Sequence, residues 1–235
     1  MVDPLEQPAV SCLSADEDLA LADPERALAV AYAPAGRHAA LTALFALDER
    51  LGSIVGTTGE PMIGLMRLAW WREALERLDG GAPPAEPLLR RLAVHVLPSG
   101  VTGAELAGIE DGWAALLDGD ADAPAIARHG RERGGRLFAL AGRLLDADDV
   151  RLAPAGAGWA LADLAHRHSD VTVGREARDQ ASAKLAETAG AWPRAARPLA
   201  ALAVLARRDA ASDRPRRQGA PGRLARMLAL RLTGR

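Results

Sequence analysis

At 235 residues, with 49% apolar side chains and a formal net charge of −2, the chain can bury a substantial core and lacks the basic excess of a nucleic-acid binder. Ala and Leu supply most of that apolar content while aromatics reach only 3%, a balance that favours helices over strands. Cys12 is the only cysteine, which excludes an intramolecular disulfide and a thiolate metal cluster.

No apolar stretch of about 18 residues is free of charge, so no membrane-spanning segment is expected. Residues 1–23 are acidic and lack the basic start and apolar run of a signal peptide, which points to a cytoplasmic location. Peripheral contact with a membrane surface stays open. Lys184 is the only lysine, and the arginines are spread along the chain together with abundant Ala, Gly and Pro. That reads as compositional bias rather than as a phosphate site.

Residues 1–22 show no sustained period and are expected to form a partly ordered tail, with Cys12 in it. A single helical domain over 23–235 follows. Asp23-Pro24 opens the first helix as cap and first helical residue, and Ala33-Pro34 ends it. A second helix over 36–55 places Leu41, Leu44, Phe45, Leu51 and Val55 on one face. Gly56 to Gly59 break it, and Glu60-Pro61 start a third helix reaching position 78. After a Gly- and Pro-rich loop, a short helix covers 87–96. Thr102 and Glu105 form a capping box. The helix they open carries Leu106, Ile109, Trp113, Leu116 and Leu117 on one side. The helix expected over 123–145 is weakened and liable to kink at Gly130, Gly134 and Gly135. Further helices are expected over 154–168, 175–190 and 194–208, then a polar linker over 209–221 and a last helix to 232.

Chemistry-bearing side chains stand out against this frame. At about 100° per residue, Asp48 falls in the middle of the apolar stripe of its helix, while Glu49 and Arg50 point away. A buried carboxylate needs a partner, water or a cation. Arg67 shares an arc with Ile63, Met66, Trp70, Trp71 and Ala74 on the next helix. Asp48 and Arg67 therefore pair inside the bundle, or Asp48 faces a ligand. Trp159, Asp163, His166 and Asp170 follow at steps of four, three and four, either as a cation-binding face or as the wet side of a surface helix. Trp70 and Trp71 diverge by about 100°, so one fills the core and the other covers a neighbour or lines a groove. There is no Gly-rich phosphate loop, no Ser-His-Asp order and no His-x-x-x-His pair.

Residues 25–55, ERALAVAYAPAGRHAALTALFALDERLGSIV, and 60–79, EPMIGLMRLAWWREALERLD, resemble the start of the squalene/phytoene synthase family. Residues 154–170, PAGAGWALADLAHRHSD, stand where that family carries its second aspartate motif. The resemblance runs over about 24–208 and is nearest to a bacterial and mitochondrial branch that includes a complex I assembly factor. It implies an all-α, isoprenoid-synthase-like helical bundle around a central cavity. Active members join two prenyl diphosphates head to head, with Mg²⁺ held by aspartates on two helices.

On that resemblance Asp48, Asp163 and Asp170 would be the catalytic carboxylates, with Asp48 and Asp170 as metal ligands. Arg67, Trp70, Trp71 and His166 would contact substrate. The departures are as informative. Gly52 stands where the first motif has its second aspartate, and Arg167 aligns with the leading aspartate of the second. An inward arginine would repel Mg²⁺. The leading expectation is therefore a catalytically reduced scaffold akin to the assembly-factor branch, with a protein partner in respiratory-complex assembly. An active Mg²⁺-dependent prenyltransferase and a non-catalytic isoprenoid- or lipid-binding protein are the alternatives.

Overall fold

The structure is a computed structural model and describes residues 19–212 and 214–235. Cys12 and most of the expected tail lie outside the described residues. Twelve α-helices follow in order among the described residues: α1 Pro24–Tyr32, α2 His38–Thr57, α3 Pro61–Glu76, α4 Pro87–His95, α5 Gly103–Ala107, α6 Glu110–Ala114, α7 Ala123–Arg128, α8 Arg136–Leu144, α9 Leu152–Arg167, α10 Val171–Ala186, α11 Arg197–Ala210 and α12 Pro221–Thr233. No strand occurs among them. No single described helix is long and apolar enough to cross a membrane.

Local chemistry sets several of these boundaries. Asp23 accepts a hydrogen bond from Glu25 N at 2.8 Å, and Pro24 occupies the first turn, where its missing N–H costs nothing. Thr102 and Glu105 make both bonds of the capping box that opens α5. The one long helix expected after that box is instead split into α5 and α6. Glycines at 130, 134 and 135 do not simply kink the next helix. Between α7 and α8 the chain passes through a π-helical stretch, His129–Gly135. Such a wide turn shifts the side-chain register and re-aims the residues on it.

α9 is the hub of the bundle, buried along nearly its whole length and packed against α10, α11, α8 and the π-helical stretch. Its tightest crossing joins two glycines. A Cβ at Gly134 would meet the carbonyl oxygen of Gly156 at 2.0 Å, and one at Gly156 would meet that of Gly134 at 2.0 Å. Only glycine lets the backbones approach so closely. This contact presses the π-helical stretch onto α9 and fixes where the side chain of Arg133 ends up.

α3 departs from its expected phase. Gly64, Leu68, Trp71, Ala74 and Leu75 are buried, whereas Ile63, Met66, Arg67 and Trp70 face outward. Apolar residues lie on both sides of this helix, so its sequence gives only a weak directional signal.

Candidate functional site

A cavity of about 870 Å³ lies among α2, α6, α9, the π-helical stretch and the segment before α12. Its apolar wall includes Val55, Leu116, Leu117 and Leu164, and its floor carries Asp48, Asp163, Arg133, Arg26 and His129. All five floor residues are buried.

Arg133, with 1% of its side chain exposed, is the centre of this floor. Its Nε donates to Asp48 Oδ1 at 2.9 Å and its Nη2 to Asp48 Oδ2 at 3.0 Å, a bidentate fork. The same Nη2 donates to Asp163 Oδ2 at 3.0 Å, so one guanidinium bridges α2 and α9. Its plane lies over Trp113, 4.0 Å from the ring centre, and 4.9 Å from that of Trp159.

His129 completes the set. The Gly112 carbonyl oxygen, 2.7 Å from Nδ1, can only accept, so Nδ1 carries the proton. Nε2 is then left as an acceptor for Arg133 Nη1 at 3.3 Å. Burial, reinforced by the Arg133 cation, pushes the His129 pKa down to about 3. The imidazole is therefore neutral.

Both carboxylates are fully engaged. Asp48 Oδ1 also accepts from Trp113 Nε1 at 3.0 Å, and Arg26 Nη1 lies 3.0 Å from Oδ2 as an ion-pair contact off the hydrogen-bonding axis. Asp163 Oδ1 accepts from Arg167 Nε at 2.8 Å and lies 3.2 Å from Arg216 Nη2. Burial alone would raise both pKa values. The guanidiniums outweigh it: Arg133 and Arg26 hold Asp48 below the usual range, and Arg133, Arg167 and Arg216 do the same for Asp163. For Arg133 itself burial works against the charge, and the two carboxylates overcome it.

The other candidate residues lie elsewhere. Asp170 is exposed and caps α10, accepting from Thr172 N at 2.7 Å and Val173 N at 3.3 Å. Because α9 ends at Arg167, the face running from Trp159 does not reach Asp170, and the structure does not bring it to Asp48. His166 Nε2 donates to the Asp209 carbonyl at 3.3 Å, facing α11. Arg67 is exposed and makes no pair with Asp48, correcting the expected internal bridge. Trp71 is a core residue, and Trp70 packs edge-on against it while remaining 45% exposed. Neither tryptophan lines the cavity. Of the seven candidates only Asp48 and Asp163 converge.

Sequence reasoning missed the partners. Arg133 lies 85 positions from Asp48 and sits on a stretch whose glycines conceal any helical face. The available signal was the spacing of His129 and Arg133, four apart. Trp113 appeared only as an apolar-face residue, although its N–H required a buried acceptor.

Residues 19–120 match the model of the squalene/phytoene synthase family. The matched segment takes in α1 to α6, with Asp48 and Trp113, and stops before Arg133 and Asp163. The all-α bundle agrees with the all-α isoprenoid synthase fold that squalene/phytoene synthases take. No curated protein and no solved structure matches the chain.

The Mg²⁺ that squalene/phytoene synthases imply does not fit this floor. All four oxygens of Asp48 and Asp163 already face guanidinium or indole N–H groups. Among the described residues no group of three or more His, Cys, Asp or Glu side chains is placed to hold a metal ion. A fixed cation stands between the carboxylates instead.

Proposed function

We propose that this squalene/phytoene synthase-like protein is catalytically reduced and works as a helical scaffold, in the manner of the assembly-factor branch it resembles. The observation that carries this reading is Arg133, whose guanidinium bridges Asp48 and Asp163 and consumes the charge that would otherwise attract Mg²⁺. A guanidinium supplies positive charge and hydrogen bonds but no open coordination position. It therefore binds the two helices together without offering a Lewis acid to a leaving diphosphate.

Incubation with farnesyl or geranylgeranyl diphosphate and Mg²⁺ tests the reduced-activity part. The expected result is no squalene-like or phytoene-like hydrocarbon. Product that disappears in Asp48→Asn would favour an active prenyltransferase instead. For the scaffold part, affinity capture of the full chain from its own cells should recover an assembly component of a respiratory complex. Its absence would remove that part of the reading.

A further inference from the structure

The stretch 214–235 holds seven of the 29 basic residues and none of the 31 acidic ones, in a chain whose net charge is −2. Within it, α12 presents its two sides differently. The inner side is set by buried Met227 and Leu230 and by Arg223, which binds Glu25 of α1 and Asp209 of α11. At about 100° per residue the opposite side is formed by Ala225, Leu228, Ala229 and Leu232. All four are exposed, Leu228 by 47% and Leu232 by 69%. Exposed Arg226 and Arg231 flank this strip on either side.

We propose that α12 is an interfacial helix that docks this protein on an anionic lipid surface. An apolar strip bordered by arginines matches a bilayer boundary, where leucines enter the acyl region and guanidiniums meet phosphate groups. Charge complementarity selects an anionic surface. The exposed leucines select lipid over nucleic acid, whose backbone gives them no apolar partner. The inner side stays clamped to α1 and α11, so docking needs no rearrangement of the bundle. This inference is independent of whether the cavity floor retains any catalysis.

Vesicle co-sedimentation of the full chain tests it. The protein should pellet with vesicles of equimolar phosphatidylcholine and phosphatidylglycerol, remain in the supernatant with phosphatidylcholine alone, and be released by added salt. The double variant Leu228→Asp with Leu232→Asp should lose pelleting while its melting temperature stays at the parent value. Arg226→Glu with Arg231→Glu, which leaves the apolar strip intact, should weaken it as well. Equal partition onto both vesicle types, or full pelleting of the leucine variant, would overturn the proposal. So would binding to an RNA oligonucleotide in place of the anionic vesicles.

Discussion

Gly52 of α2 lies directly beneath the indole of Trp113: a Cβ at position 52 would come within 2.8 Å of Cη2 and Cζ2 of that ring. The indole thus occupies the space that an aspartate four residues after Asp48 would need. The same tryptophan donates to Asp48 and lies under the Arg133 cation. Absence of the second carboxylate and presence of the bridging arginine are therefore parts of one packing arrangement.

Gly52→Asp is expected to destabilise the protein by about 1–3 kcal/mol through overpacking, without restoring a metal site. Thermal melts with and without Mg²⁺ should coincide for this variant. Combined with Trp113→Ala, it should cost less than the sum of the two single changes, because the clash is shared.

Removing the bridge has a larger effect. Arg133→Met leaves Asp48 and Asp163 buried without their common cation and is expected to cost about 3–5 kcal/mol. Urea denaturation reads this directly. Adding Asp48→Asn and Asp163→Asn should return part of the loss, since amides do not require a counter-charge.

Acid should remove stability over two successive pH windows. His129 titrates near 6.5 when unfolded and near 3 when folded, so the unfolded chain binds the extra proton between those values. Its contribution is fully present above pH 6.5 and declines as pH falls towards 3, by roughly 3–6 kcal/mol in all. Asp48 and Asp163 have lowered folded pKa values, so their contribution is lost only below the ordinary aspartate range. Stability measured by denaturant between pH 7 and 4 should therefore slope downward, and His129→Gln should flatten that slope.

The clamp on α12 gives a separate prediction. Arg223 holds Glu25 Oε2 at 2.9 Å and Asp209 Oδ2 at 2.9 Å, and both acids are buried. Arg223→Ala should cost about 2–3 kcal/mol, less than the loss at Arg133 because water reaches part of the group. Arg223→Lys should recover little in the same denaturation, since an ammonium cannot fork to both carboxylates.

Much of the frame was legible in the sequence, and the reasons differ by element. The inward position of Asp48 followed from the apolar period in α2, whereas the steps from Trp159 to Asp163 left open a cation-binding face or the wet side of a surface helix, and Asp163 is instead buried against Arg133. The capping box at Thr102 and Glu105 followed from residue types with few alternatives, whereas Gly130, Gly134 and Gly135 pointed to a kink and the chain instead runs on through a π-helical stretch. Arg133 was hidden because a π-helical turn changes the very period used to assign faces. Arg67 was misplaced because Met62, Ile63, Met66 and Trp70 make the outer side of α3 look like a core side. Asp170 was counted on a face that had already ended.

Calorimetric titration of the full chain with Mg²⁺ and inorganic pyrophosphate tests the replacement of metal by guanidinium most directly. No saturable heat is predicted for the parent protein, with Asp48→Asn indistinguishable from it. A saturable binding heat that requires Asp48 would contradict it.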